Sequence, residues 1–322
     1  MKLITEVPVP AYPFRIDHQT PVLMMGSCFT DNIGMLMEKY LFQISVNPFG
    51  VIYNPLSIKN GLEALLYKES YTVDDLDHHN NLWFSFDHYT LFSSPDPMVA
   101  LGNINSFFLP AKKILQKASL LILTWGTAWV YRNNSSGKVV CNCHKIKASN
   151  FSRSRLTVSD IVSSYKTLLP LLFEKNPSLK VLVNVSPVRH WKDGPHGNQL
   201  SKSILLLAQE ALEKLYPKRI YYFPSYEIVM DELRDYRFFT RDMVHPSDLA
   251  TQYIWGKFQH ALVSPESQKI MNELEGWLKM MDHKLLNQDS EATRQMVVRR
   301  DQKAKDLMSK YPFLEWKNRL EK

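Results

Sequence analysis

The sequence predicts an α/β protein in which a parallel sheet is covered by helices. Short apolar runs alternate with amphipathic stretches along the chain, as they do in sheets of this kind. The clearest apolar runs, 118–126 and 179–187, have the continuous hydrophobicity of strands that are buried on both faces. With 322 residues, of which 45% are hydrophobic, the chain can also form a substantial core.

The predicted elements begin with a strand at 21–26 and a helix at 30–42, which Thr30 or Asp31 could cap. A second helix is expected after Asn54, with Pro55 in its first turn. The later elements are a polar, aromatic insertion near 72–95, a strand at 118–126, a β-hairpin at 129–145, a helix at 158–175, a strand at 179–187, a helix at 201–216, a strand at 219–224 and a helix at 247–262.

No further strand is predicted after residue 264. We therefore expect an α/β domain over 1–264 and a helical C-terminal extension over 265–322. The extension is expected to serve packing, partner docking or assembly into a homo-oligomer rather than catalysis.

Charge and cysteine content exclude several function classes. The net charge of +7 is spread along the chain, so nucleic acid is not an expected partner. The three cysteines form no paired framework and the N-terminus lacks a signal-peptide pattern, which together predict a cytoplasmic protein. No apolar window is long enough for a membrane span, and no cofactor is expected.

The segment "CNCHK" contains three potential metal ligands, Cys141, Cys143 and His144. On a strand the two cysteines share one face and His144 lies on the other, and no second Cys/His pair follows. We therefore predict no metal site. Asn142 and His144 are expected to project toward the pocket side of the hairpin.

Chemistry in a parallel sheet is expected at the carboxyl ends of its strands. Residues at these ends are Ser27, Gly50, Gly126, 186–190 and 242–247. Ser27 would present an exposed hydroxyl between a strand and a helix, with its own N–H directed at a developing oxyanion. The alternative is an ordinary Gly-Ser turn.

A base and an orienting carboxylate are available in "DMVHPS". His245 could take the serine proton, and Asp242 could hold the other imidazole nitrogen. Pro246 predicts that His245 lies at the N-cap of the next helix, whose positive end favours a neutral ring. The alternative is a capping histidine beside a surface aspartate. Cys28 is a second possible nucleophile, but we favour a buried structural thiol.

The segment "VSPVRHWKDG" carries Arg189, His190 and Lys192, a cationic cluster suited to an anionic or polar substrate group. A solvated loop is the alternative interpretation.

Eight ordered segments, over roughly residues 20–262, resemble the GSCFA-domain family, a branch of the SGNH or GDSL-type hydrolases. These segments are "MGSCFTDNIG", "NPFGVIYNP", "TWGTAWVY", "NCHK", "VSPVRHWKDG", "SKSILLLA", "YFPSYEIVMDELRDYRFFTRDMVHPS" and "YIWGKF". The resemblance implies a three-layer α/β/α flavodoxin-like fold and serine ester chemistry. Ser27 then matches the nucleophile, Asp242 and His245 the Asp-x-x-His pair, and Gly50 the glycine whose N–H joins that of Ser27 in the oxyanion hole.

The chain departs from this superfamily pattern at Ala128, where an oxyanion asparagine is expected. Thr127, Asn142 and Asn184 are candidate substitutes. We expect a serine ester hydrolase or acyl(acetyl)transferase that acts on a carbohydrate or other polar ester through an acyl-Ser27 intermediate. Arg189, His190, His144 and Gly126 are the expected substrate-binding residues. The alternative is a weakly active or non-catalytic module that binds a polar ligand on the same fold.

Overall fold

A parallel sheet forms the centre of the computed structural model, which describes residues 4–282 and 291–316. The described strands, numbered along the chain, are β1 (Val22–Gly26), β2 (Ile44–Val46), β3 (Asp77–His79), β4 (Leu82–Phe84), β5 (Leu120–Trp125), β6 (Trp129–Asn133), β7 (Val139–Val140), β8 (Phe151–Arg155), β9 (Lys180–Val185) and β10 (Ile220–Tyr222). The described α-helices are α1 (Cys28–Lys39), α2 (Pro55–Tyr67), α3 (Pro97–Lys117), α4 (Val158–Lys175), α5 (Gly194–Leu215), α6 (Ser225–Glu227), α7 (Asp248–Leu262), α8 (Pro265–Asp282) and α9 (Glu291–Lys310).

The central sheet has the strand order β2-β1-β5-β9-β10, and each neighbouring pair is parallel. Counted within the sheet this is the order 2-1-3-4-5, which is that of flavodoxin-like folds. Met24 pairs with Ile122 in the register of β1 and β5. The predicted α/β fold with a parallel sheet is thereby confirmed.

Helices cover both faces of the sheet. Side chains alternate along a strand, so Leu23 and Met25 pack with the core beneath α2, α3, α4 and α5, whereas Val22 and Met24 pack with the core beneath α1 and α7. The predicted three-layer α/β/α arrangement follows from this alternation.

Several predicted element boundaries are corrected by the structure. Asn54 caps α2 through its side chain, as predicted. The cap of α1 is Ser27 rather than Thr30 or Asp31, because the helix begins directly after β1. Helix α5 begins at Gly194, seven residues before the predicted start at 201, because the polar segment 194–200 lacks the apolar period that reveals a helix.

The predicted hairpin gains a third strand. Strand β8 pairs antiparallel with β6, which also pairs with β7, so a small three-stranded sheet stands beside the central one. Strands β3 and β4 form a separate hairpin in the insertion near 72–95.

Helices α8 and α9 lie where the helical C-terminal extension was predicted. Their core is formed around Trp277 and includes Leu41, which follows α1, and Trp316. His18 ties this region to the sheet domain, because its ring nitrogens contact Ser267 Oγ at 2.8 Å and the Tyr40 carbonyl at 2.9 Å. Among the helices formed by the described residues, none is both long and apolar enough to cross a membrane.

Candidate active site

A cavity of about 520 Å³ opens at the carboxyl edge of the central sheet. Residues from seven separate segments line it, among them Ser27, Thr127, Asn142, Arg189, His190 and His245. The segments that follow β1, β5 and β9 meet there because parallel strands present their carboxyl ends on one edge.

Ser27 reaches the cavity through a close approach of two strands. A Cβ atom on Gly26 would stand 2.4 Å from the Thr124 carbonyl oxygen, so only glycine fits at the end of β1. Ser27 follows as the cap of α1, and its Oγ accepts a long hydrogen bond of 3.4 Å from the Phe29 N–H. The residue is 1% exposed, so the predicted exposed hydroxyl is wrong: Ser27 lies in the buried wall of the cavity.

The two backbone N–H groups predicted as oxyanion donors are both occupied in the structure. The Ser27 N–H donates to the Thr124 carbonyl at 3.2 Å, which continues the pairing of β1 with β5. The Gly50 N–H donates to the Asn47 carbonyl at 2.7 Å, and Gly50 is not among the cavity's lining residues. Neither N–H is directed at the cavity, because each is already used by the local backbone.

His245 lies on the rim of the cavity and is held by Asp242. The distance from His245 Nδ1 to Asp242 Oδ2 is 2.7 Å. The other carboxylate oxygen accepts from the backbone N–H groups of His245 and Val244 and from the Thr240 hydroxyl. These hydrogen bonds, led by the one from the His245 N–H, hold the pKa of Asp242 well below its usual range.

The helix cap predicted at His245 is wrong. Ser247 caps α7 instead, and its Oγ accepts from the Ala250 N–H. Met243, with a φ of 57°, turns the chain between Asp242 and His245. Within the described residues, no hydrogen bond joins Ser27 Oγ to His245, although both side chains line one cavity.

Two of the three substitutes predicted for the missing asparagine face the cavity. Thr127 lines it, and its Oγ1 lies 3.1 Å from Ser201 Oγ. Asn142 lines it too, with Oδ1 accepting from the His144 N–H at 2.8 Å and Nδ2 without a partner among the described residues. Asn184 is buried inside the sheet, where its Nδ2 donates to Thr124 Oγ1 at 3.1 Å, so it is not available.

The three residues of the predicted cationic cluster all line the cavity, but their environments differ. Arg189 and Lys192 line the cavity with charged side chains, whereas the ring of His190 lies edge-on to that of Tyr53. Burial, followed by the positive charge of Lys202, lowers the pKa of His190 to about 4. His190 is therefore a neutral imidazole at neutral pH.

The family is decided by comparison with known proteins. The sequence profile of the GSCFA family matches residues 21–258. This chain belongs to the GSCFA family.

No curated protein sequence matches this GSCFA protein. Among solved structures it is similar to a carbohydrate esterase family 3 protein from Talaromyces cellulolyticus, with 9% identity and a TM-score of 0.37 over 79% of this chain and 99% of that one. It is also similar to the acetyl xylan esterase Est2A from the rumen bacterium Butyrivibrio proteoclasticus, with 11% identity and a TM-score of 0.36 over 84% of this chain and 66% of that one.

The floor of the cavity is formed by the chain segments that follow β5 and β9. Sequence reasoning missed the residue that supports this floor. Lys202 is fully buried, and its Nζ donates to the carbonyls of Gly126 and Ser186 at 2.6 Å each. It thereby ties the chain after β5 to the chain after β9, and burial lowers its pKa to about 7. The signal was present, because Lys202 falls on the buried stripe of α5 with Ser201 and Leu205.

Asn47 is a second positioning residue that the sequence did not reveal. Its Oδ1 accepts from the Gly26 N–H at 2.8 Å and its Nδ2 donates to Asp31 at 2.5 Å. These bonds fix the end of β1 relative to the first turn of α1, directly beside Ser27.

Two remaining predictions for the site are corrected. His144 does not face the cavity: its Nε2 contacts the Ser85 carbonyl at 3.0 Å and its ring stacks on Phe84. Gly126 lies beneath the cavity rather than in its lining, with its N–H donating to the Tyr53 carbonyl.

All three cysteines are unpaired thiols that line this cavity. Burial raises the pKa of the Cys28 thiol, so the thiol beside Ser27 is held in its less nucleophilic, protonated form. Within the described part of the chain, no three His, Cys, Asp or Glu side chains are grouped so that they could hold a metal ion.

Proposed function

We propose that this protein is a serine ester hydrolase or acyltransferase, with an acyl or acetyl group transferred through Ser27. The observation that carries the proposal is that Ser27 and His245 line one cavity while Asp242 holds the far nitrogen of the imidazole. A carbohydrate or other polar ester is the proposed substrate class.

The chemistry assigns each residue one role. His245 Nε2 takes the Ser27 hydroxyl proton as Oγ attacks the ester carbonyl, and the resulting tetrahedral intermediate expels the alcohol, which receives that proton from His245. Water or an acceptor alcohol then attacks the acyl-Ser27 ester, gives its proton to His245, and releases Ser27 with the proton returned. Asp242 orients the imidazole and stabilises the imidazolium that forms.

This mechanism requires Ser27 Oγ to turn toward His245. The present contact of Oγ is a single hydrogen bond of 3.4 Å from the Phe29 N–H, which is near the limit for such a bond and is readily lost. Catalytic hydrogen bonds in unliganded enzymes are often long and shorten only when the substrate binds.

The oxyanion is proposed to bind Asn142 and Thr127. Asn142 Nδ2 has two N–H donors without a partner in the described structure, and it lies in the cavity. Thr127 Oγ1 accepts a hydrogen bond from the Trp129 N–H. When Ser201 Oγ also donates to it, the hydroxyl proton of Thr127 is available to the oxyanion. Together they replace the asparagine that is expected at position 128, since each supplies a hydrogen-bond donor at the cavity wall.

Fluorophosphonate labelling tests the nucleophile. We expect one covalent adduct on Ser27, found by intact mass and peptide mapping, and expect Ser27→Ala to abolish it. Cys28→Ser is the matched control, because the neighbouring thiol also lines the cavity, and it should retain the label. An unlabelled but folded wild type, with His245→Ala equal to wild type on a panel of esters, would refute the proposal.

A second candidate function is a binding module for a polar ligand. It is favoured by the backbone N–H groups of Ser27 and Gly50, which both donate to other acceptors. It is also favoured by the absence, in the part of the chain that the structure describes, of a hydrogen bond between Ser27 Oγ and His245. It predicts that ligands bind the cavity while fluorophosphonates leave Ser27 unmodified.

A further inference from the structure

The charged side chains that line the Ser27 cavity are mostly cationic. Arg153, Arg189 and Lys192 face it, and Asp193 is the single carboxylate that the described residues contribute to the lining. Asp193 is bound to the Arg153 guanidinium, and its side chain is 3% exposed. The same guanidinium stacks over the Trp129 ring, 4.1 Å from its centroid, so Arg153 and Asp193 form a neutral part of the wall.

Two cations remain without a counter-charge. Arg189 Nη2 contacts Met230 Sδ at 3.4 Å, and no carboxylate of the described residues pairs with it. Lys192 Nζ donates to the Tyr131 hydroxyl at 2.5 Å, which is also a neutral partner. Neutral partners do not offset these charges, so the side chains that line the cavity carry a net positive charge, which favours anions.

Arg189 lies where two cavities meet. A second cavity, of about 480 Å³, shares Arg189 and Trp191 with the first. The loop that carries His245 separates the two, because Met243 lines the second cavity whereas His245 lines the first. A substrate that reacts at Ser27 and extends past the loop therefore passes the guanidinium.

We propose that the substrate carries a carboxylate or phosphate group that binds the Arg189 guanidinium, with Lys192 as the second cation. The planar guanidinium fork matches both groups, because each offers two oxygens to parallel N–H donors. This inference rests on the proposed function for the reacting residue, but anion binding itself does not require Ser27 to react.

Calorimetry on Ser27→Ala protein tests anion binding with the ester chemistry removed. The probes are benzoate, phenyl phosphate and the neutral benzamide. We expect benzoate or phenyl phosphate to bind roughly tenfold more tightly than benzamide, and the tighter of the two anions identifies the group. Added salt should weaken the anions and leave benzamide unchanged.

Arginine and lysine variants locate the binding. Arg189→Gln should weaken the preferred anion roughly tenfold, Arg189→Lys should restore part of the loss, and Lys192→Gln should weaken it severalfold. Arg132→Gln is the control, since Arg132 is exposed, bonds the Gly137 carbonyl and does not line the cavity. Lys192 is exposed, so its variant stays informative if Arg189→Gln fails to fold.

Two outcomes separate this inference from the proposed function. If the anions bind through Arg189 but wild type hydrolyses neither 4-acetoxybenzoate nor its methyl ester, the anion site stands and the hydrolase does not. If both esters are hydrolysed equally and neither benzoate nor phenyl phosphate binds better than benzamide, the hydrolase stands and the anion site is overturned. Equal effects of Arg189→Gln and Arg132→Gln would overturn it as well.

Discussion

Two imidazoles line the same cavity in opposite environments. His190 belongs to the floor, where burial lowers its pKa to about 4 and its ring lies against Tyr53. His245 belongs to the rim, where its side chain is 48% exposed and its Nδ1 contacts Asp242 at 2.7 Å. The difference shows how one cavity can hold two histidines with separate tasks.

The neighbouring charges explain the separation. A proton on His190 would lie in a buried site above the Lys202 ammonium, which opposes it. A proton on His245 would lie against the Asp242 carboxylate, which accommodates the imidazolium formed during a reaction. The proposed base is therefore His245, and His190 is a neutral imidazole packed against Tyr53.

Replacing each histidine in turn tests most directly whether the two have different roles. We expect His245→Ala to lower kcat/KM for 4-nitrophenyl acetate about 10³-fold, because the serine then lacks its base. His190→Asn keeps a neutral polar group in the floor and should cost about tenfold. Steady-state kinetics, with thermal unfolding to verify the fold, measure both. Equal losses in the two variants would contradict the assignment of the base.

The rim could be predicted from the sequence because its contacts are local. Asp242 and His245 are three residues apart, so one loop brings carboxylate and imidazole together whatever the rest of the fold does. The position of Ser27 between β1 and α1 could be predicted in the same way, from a strand that runs directly into a helix, and its role as nucleophile stays a prediction. The fold was predictable too, since the alternation of apolar runs and amphipathic stretches reports directly on a covered parallel sheet.

The floor could not be predicted, because its contacts join distant parts of the chain. The bonds of Lys202 to Gly126 and Ser186 depend on how α5 packs beneath β5 and β9. The directions of the Gly50 N–H and of the His144 ring depend on local turns that residue type does not fix. Those predictions failed because a position near a strand end does not determine where a group points.

The buried charge in the floor should make stability depend on pH. The pKa of Lys202 is about 7 in the folded protein and close to 10.5 when unfolded, so between these values the unfolded chain binds more protons. Unfolding free energy should therefore rise with pH by about 2 kcal/mol between pH 7 and 9, relative to Lys202→Met. Urea unfolding at several pH values measures this difference.

A lysine in the same helix provides the control for that measurement. Lys214 is exposed and pairs with Glu210, so Lys214→Met should leave the pH trend of the wild type unchanged. A Lys202→Met protein whose stability follows the wild type at every pH would show that Lys202 stays charged in the floor.

The smallest expected effect comes from a single methyl group placed between the serine and the buried histidine. In Gly126→Ala the new Cβ would stand 3.1 Å from the Tyr53 carbonyl oxygen, 3.4 Å from His190 Nε2 and 3.5 Å from Ser27 Cβ. The contact with Tyr53 is tighter than ordinary packing, so we expect a loss of about 1 kcal/mol in stability and a severalfold fall in kcat. Gly102→Ala is the matched control, because its Cβ would meet nothing within 4 Å in helix α3, and the gain in helix propensity should stabilise the fold by about 0.5 kcal/mol. A Gly126→Ala protein with normal kcat would mean that the floor can shift without disturbing Ser27, and the rim alone would then determine the chemistry.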